Sequence, residues 1–239
     1  MIRLDKYLAD MGIGTRSEVK NIIRKKQVSI NGTAVNKPET KVDPETDEVC
    51  YQGKQISYEP YVYYMLYKPG GCVSAVRDNL YSTVLSFIEN PKGYDLFPVG
   101  RLDLDTEGLL LITNDGNLAH ELLSPKKHVS KTYFARIQGR VTQEDVTRFS
   151  LGLDIGEEKP TRPAELVIEK SGDISEIRIS ITEGKYHQVK RMFEAVGKHV
   201  IFLKRLSMGT LQLDENLKPG TYRALTKAEL SALKNHENI

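Results

Sequence analysis

Residues 100–113 read Gly-Arg-Leu-Asp-Leu-Asp-Thr-Glu-Gly-Leu-Leu-Leu-Ile-Thr, a charged turn running directly into an unbroken apolar segment. The acids at Asp103, Asp105 and Glu107 first suggest a calcium loop, which needs oxygen ligands at alternate positions and a bidentate Glu at the twelfth. Counted from Asp103, the twelfth position is Asn114, and the seventh to tenth are Leu109, Leu110, Leu111 and Ile112. Such a run forms a strand buried on both faces, not an open ligand loop. The stretch therefore predicts an acidic turn held against a central strand over Leu109–Thr113. Taken alone, the turn reads as an ordinary solvated one.

Further strands are predicted at Val62–Tyr67, Lys131–Gln138, Ala164–Lys170 and Ile174–Thr182, the last on the two-residue alternation of Ile177, Ile179 and Ile181. Helices are predicted at Thr83–Ile88, Leu118–Leu123, Thr142–Leu151, Tyr186–Val196 (closed by Gly197) and Lys227–Asn235. Towards the N-terminus the pattern changes. Leu4, Leu8 and Met11 repeat at helical spacing, and Thr15-Arg16-Ser17-Glu18 is a capping box opening a second helix with Val19, Ile22 and Ile23 inward. Val28 and Ile30 alternate into the hairpin turn Asn31-Gly32, Val35 lies on the returning strand, and a short strand centres on Val49. Residues 56–60 look like a linker. The expected architecture is α+β: a small helix-pair and sheet domain over residues 1–59, then a mixed, largely antiparallel sheet domain over residues 60–239.

At 239 residues, with 39% hydrophobic and 28% charged side chains, the chain is long enough for one large core and a satellite domain. Its two cysteines, Cys50 and Cys72, form no Cys-x-x-Cys motif, which speaks against a zinc site and for a reducing, cytoplasmic setting. No apolar signal core follows Met1 and no run of 18 apolar residues occurs, so neither secretion nor a membrane partner is expected. Net charge is only +2, but its distribution is uneven. Residues 1–41 hold nine Lys and Arg against four Asp and Glu, residues 124–140 hold five basic residues and no acid, and residues 184–205 hold six against Glu194. Segregated basic clusters are the electrostatic footprint of a nucleic-acid partner.

Two other stretches lift the acidic turn above the ordinary. Residues 183–193 read Glu-Gly-Lys-Tyr-His-Gln-Val-Lys-Arg-Met-Phe. On a helix, Val189, Met192, Phe193 and Val196 form an inward stripe and leave His187, Lys190, Arg191 and Glu194 on another face, where a base can meet a carboxylate. Ser130-Lys131-Thr132-Tyr133 brings a Tyr into an apolar strand beside the acid-free basic segment. An isolated Tyr of this kind is a packing residue; next to basic side chains it is what an unstacked base needs. Lys68-Pro69-Gly70-Gly71 lacks the features of a phosphate cradle and reads as a tight structural loop.

Together these motifs resemble the RsuA-type pseudouridine synthases: Lys68-Pro69-x-Gly71, Gly100-Arg101-Leu102-Asp103-x-Asp105-Thr106-x-Gly108-Leu109, Lys131-Thr132-Tyr133, the run from Tyr186 to Met192, and Pro219-Gly220-x-Tyr222-Arg223-x-Leu225-Thr226. The N-terminal unit, with Arg3-Leu4-Asp5-Lys6-Tyr7-Leu8, Arg16-Ser17 and Val28-x-Ile30-Asn31-Gly32, resembles the small RNA-binding domain named for ribosomal protein S-four. The resemblance implies a cofactor-free isomerisation of uridine in ribosomal RNA. It assigns Asp103 as the catalytic acid, attacking the anomeric carbon or removing a neighbouring sugar proton, Lys190 as its basic partner, and Tyr133 as the aromatic stacked on the base. Arg101, Thr106, His187, Gln188 and Arg191 are implied substrate contacts, and Arg3, Lys6, Arg16, Ser17, Lys20, Arg24, Lys25 and Lys26 implied RNA contacts. It further implies a monomer acting on small-subunit 16S rRNA at uridine 516, with large-subunit 23S rRNA as the alternative target. A glycosidase using Asp103 with Asp105 or Glu107, and a non-catalytic RNA-binding assembly protein, are the competing readings.

Overall fold

The run Leu109–Ile112 is fully buried, and its strand is sandwiched edge to edge between two others. In the computed structural model, which describes residues 1–90 and 93–235, the chain divides into two compact units. One comprises Met1–Val62 with the described residues of Asn90–Tyr94; the other comprises Tyr63–Glu89 and Asp95 onward.

The first unit holds β1 (Ile2–Arg3), α1 (Leu4–Asp10), α2 (Arg16–Arg24), β2 (Val28–Ile30), β3 (Thr33–Val35), β4 (Lys41–Val42), β5 (Val49–Tyr51) and β6 (Lys54–Gln55). The Thr15 capping box opens α2, with Glu18 reaching back to the Thr15 N–H at 2.7 Å. Asn31 and Gly32 both have positive φ, as the β2–β3 hairpin requires. β3, β2, β5 and β6 make one antiparallel sheet, and β1 pairs separately with β4. Leu4, Tyr7, Leu8, Val19, Ile23, Val28, Val42 and Val49 close a core beneath them.

The second unit holds β7 (Tyr63–Lys68), β8 (Phe97–Pro98), β9 (Glu107–Thr113), α3 (Gly116–Leu123), β10 (Lys131–Gln138), α4 (Gln143–Leu151), β11 (Glu165–Lys170), β12 (Ile174–Ile181), α5 (Gln188–Glu194), β13 (His199–Met208), β14 (Leu211–Gln212), β15 (Tyr222–Ala224) and α6 (Lys227–Lys234). Its main sheet runs β11-β12-β10-β13-β9-β7-β15, with β8 added to β9 and β14 to β13. Every pairing in it is antiparallel except β13 with β9. Met65, Leu109, Leu111, Leu118, Leu122 and Met208 belong to one cluster between the sheet, α3 and α6. Each such side chain contributes about 1.5–3 kcal/mol on burial. Phe149 of α4 packs on Phe193 of α5, ring centres 4.8 Å apart.

The α+β expectation matches this architecture, with three corrections. Residues 83–88 form only a 3-10 turn, Val84–Phe87, too short to gain α-helical bonds. The predicted helix from Tyr186 begins at Gln188 and ends at Glu194, because His187 sits in the left-handed region (φ 48°) and cannot extend it. The ten-residue strand β13, which joins β10 to β9, was not expected at all.

Candidate active site

Asp103 lies in the loop entering β9, and that loop is clamped through its backbone. Ser74 Oγ accepts from Leu102 N–H and donates to Leu102 C=O, both at 3.0 Å. The Lys68 ammonium, fully buried, donates to the carbonyls of Thr106 (2.8 Å), Pro69 (3.0 Å) and Leu104 (3.4 Å), while Gly71 N–H donates to Leu104 C=O. Burial pushes the Lys68 amine below its ordinary range. Lys68-Pro69-Gly70-Gly71 is thus the bracket that holds the aspartate turn. One step further along β9, Gly108 has φ +103°, and a Cβ there would stand 2.2 Å from the Arg205 carbonyl oxygen. Only glycine lets β13 approach this closely.

From this loop Asp103 faces a cavity of about 870 Å³, whose walls include Tyr133, Lys131, Leu203, Arg205, His187 and Lys190. That lies within the ~300–1,000 Å³ range of small-molecule sites. Lys190 projects from α5 to within 3.3 Å of Asp103 Oδ2 and 2.6 Å of Asp105 Oδ1, so one ammonium serves two carboxylates. Burial alone would lower the Lys190 pKa, but the hydrogen bond to Asp105 and the charges of both acids outweigh it and raise it. Asp105 is held below the usual carboxylate range: its burial opposes this, and the Lys190 hydrogen bond overcomes it. The two acids differ in setting, for the Asp103 side chain is 27% exposed and lines the cavity, whereas Asp105 is 71% exposed and does not. His187 Nε2 lies 3.6 Å from Asp103 Oδ1, its ring stacked on Tyr186.

Tyr133, almost fully buried on β10, is register partner of Ile179 on β12 and Arg205 on β13. Arg101 and Thr106 also line the cavity. Gln188 borders it, but its amide is engaged by the chain, accepting from Lys185 N–H and donating to Glu183, both at 2.9 Å. Arg191 is not brought to the cavity: it turns to Glu157 at 2.5 Å and to the Ile155 and Tyr186 carbonyls. Of the expected RNA contacts, Arg3 is bound to Asp5 and Lys6 to Asp10. Among the described residues no ion pair engages Arg16, Arg24, Lys25 or Lys26, all exposed beside Ser17 and the half-buried Lys20.

Arg205 and Ser74 were not singled out from sequence, and Lys131 stood there only as part of the Lys131-Thr132-Tyr133 motif, without a role of its own. Arg205 is 2% exposed; its Nε donates to Leu109 C=O at 2.7 Å, and its Nη2 finds no partner among the described residues. The one available signal was its two-residue spacing from Leu203 and Ser207 on a buried strand face. No group of three or more His, Cys, Asp and Glu side chains among the described residues is placed to hold a metal ion.

A family model for RNA pseudouridylate synthase matches residues 62–195, and one for the S4 domain matches residues 2–49. The chain is 46% identical over 235 residues to a Bacillus subtilis protein named uncharacterized RNA pseudouridine synthase YtzG, covering 97% of this chain and 98% of that one. It is 39% identical over 234 residues to ribosomal small subunit pseudouridine synthase A of Haemophilus influenzae, covering 97% and 99%. The corresponding Escherichia coli protein is 38% identical, covering 97% and 100%. A crystal structure of a pseudouridylate synthase aligns with a TM-score of 0.68 at 38% identity, covering 98% of this chain and 100% of that one. With motif order, fold and whole-length similarity agreeing, the chain belongs to the RNA pseudouridine synthase family and carries an S4 domain at its N-terminal side.

Proposed function

We propose that this enzyme converts a uridine of ribosomal RNA to pseudouridine, with 16S rRNA as substrate and uridine 516 as target. The observation that carries the chemical reading is the Asp103 carboxylate, fixed on a clamped loop, facing a cavity with Lys190 at 3.3 Å and Tyr133 in its wall. Whole-length similarity to relatives named for the small ribosomal subunit supports the choice of RNA.

The uridine must leave the stack to reach the cavity, at a cost of a few kcal/mol that stacking on Tyr133 and phosphate contacts offset. Asp103 then either attacks the anomeric carbon or removes a proton from the neighbouring sugar carbon. Both roles need the carboxylate held facing the substrate, and the Lys190 ammonium, 3.3 Å from it, fixes it there. The base turns in the pocket and rejoins the ribose through C5. Arg101, Thr106 and His187 contact the nucleotide, while Gln188 and Arg191 shape the loops beside it. Residues 60–239 perform this chemistry. Residues 1–59 bind RNA phosphates through the exposed face of α2. The enzyme works as a monomer in the cytoplasm, where the free thiols of Cys50 and Cys72 stay reduced.

Mapping pseudouridines in ribosomal RNA from cells with and without this protein tests the assignment. Loss of pseudouridine at 16S position 516 alone is the expected result. Loss in 23S rRNA would replace the target, and an unchanged map with release of free base would favour a hydrolase.

A further inference from the structure

Two buried polar side-chain atoms without partners among the described residues belong to residues lining the Asp103 cavity: Arg205 Nη2 and Thr106 Oγ1. An orphaned guanidinium N–H in so buried a setting is costly unless a ligand meets it. Lys131, on the strand beside Arg205, lines the same cavity and gives its ammonium to the Val129 carbonyl at 2.9 Å. Burial, reinforced by the Arg205 charge, pushes the Lys131 amine down to about 8. No carboxylate among the described residues forms an ion pair with either cation. The cavity therefore has a second positive site, separate from the Lys190 ammonium that Asp103 and Asp105 share.

The reaction supplies a matching anion. When the C1′–N1 bond breaks, its electron pair stays with the base, and the charge spreads over N1, O2 and O4. The new bond takes its pair from C5; C5 loses a proton and N1 gains one, so composition is conserved. We propose that Arg205, with Lys131 beside it, is a catalytic residue that holds the uracil carbonyl oxygens and stabilises the detached base while it turns. Thr106 Oγ1 supplies a polar contact to the same ring. This rests on Asp103's cavity being the place of reaction.

The test uses the full-length enzyme, saturating over a short RNA carrying one target uridine, and the same RNA with 5-fluorouridine there. Fluorine withdraws electron density and stabilises the base anion, so that substrate depends less on protein donors. Arg205→Gln is expected to slow single-turnover consumption of uridine by about 100-fold, as for loss of one anion-stabilising donor. The loss on 5-fluorouridine, read as its single-turnover consumption because the fluorine leaves C5 no proton to lose in the last step, should be at least several-fold smaller, with RNA affinity within a few fold of wild type. Equal losses on the two substrates, no loss, or a loss confined to RNA affinity would overturn the proposal. Should Arg205→Gln fail to fold for want of the Leu109 hydrogen bond, Lys131→Met decides by the same comparison. Asp103→Asn run alongside separates the two readings: if it stays active the site assignment itself fails, whereas an inactive Asp103→Asn with unselective Arg205 and Lys131 variants sinks only this one.

Discussion

At the scale of single residues, the site presents two aspartates on one lysine, and their geometry separates their roles. Asp105 takes the shorter contact, 2.6 Å, yet lies outside the cavity; Asp103 takes the longer one, 3.3 Å, and lines it. Asp103→Asn should lower pseudouridine formation by about 10²- to 10⁴-fold or more, the range expected for a lost acid–base or nucleophilic group, with RNA affinity within a few fold. Asp105→Asn should cost less than about tenfold, because Lys190 keeps Asp103. Nucleoside chromatography of treated RNA checks both, and equal losses would mean that the acids act as one unit. Asp103 could be picked out in the sequence because the apolar run behind it excluded an open ion loop and because Tyr133 and Lys190 stood in matching motifs. Arg205 could not. Its burial depends on β13 lying between β9 and β10, with Gly108 beside Arg205 on one side and Tyr133 on the other, a long-range arrangement that local sequence does not announce.

At the scale of elements, helices with caps and strands with strict alternation were readable, and elements defined by their neighbours were not. The Thr15 box and Asn31-Gly32 carry their own geometry, so α2 and the β2–β3 hairpin follow from a few residues. β1 and β4 are two residues each and exist only as partners of one another. β13 offers no clean alternation to read: the apolar run Val200-Ile201-Phe202-Leu203 is followed by two adjacent basic residues, Lys204-Arg205, yet the sheet buries Leu203 and Arg205 on one face. Its parallel seam with β9 yields a stability prediction: Gly108→Ala places a Cβ 2.2 Å from backbone at a φ that disfavours alanine. Unfolding of the second unit in urea should shift by at least about 3 kcal/mol; a shift below about 1 kcal/mol would mean the strands separate freely. The terminal helix α6 gives a pH prediction. Glu229 accepts from Thr226 N–H and pairs with Arg223 through both carboxylate oxygens, and this Arg223 hydrogen bonding, against burial, lowers its pKa to about 2. Because the folded pKa is depressed, the stabilisation is complete above about pH 4.5 and is lost as pH falls towards 2. Glu229→Gln should destabilise by about 1–2 kcal/mol at neutral pH and by almost nothing near pH 2, as read from acid and urea titrations of both proteins.

At the scale of the whole molecule, net charge of +2 gives no hint of a polyanionic partner, and the signal lies in where the charges are left unpaired. Arg3 and Lys6 contribute to the basic count of the N-terminal unit but are bound to Asp5 and Asp10, so they are poor candidates for phosphate contacts. Arg16, Arg24, Lys25 and Lys26 are exposed on or just after α2, and their counterions are free to be displaced by RNA. Each phosphate contact contributes about 0.7 to 0.9 to the slope of log affinity against log salt concentration. Replacing all four by alanine in the full-length chain should therefore reduce the magnitude of that slope by about 3, while Arg3→Ala and Lys6→Ala together change it by less than about 1. Because these side chains do not line the Asp103 cavity, single-turnover conversion at saturating RNA should stay within about twofold of wild type. A slope unchanged in the quadruple variant would move RNA binding to the basic stretches at 124–140 and 184–205. A slope that falls together with the saturated rate would mean instead that contacts on α2 are needed to seat the uridine, so that binding energy from the S4 domain is used in the chemical step and not only in capture.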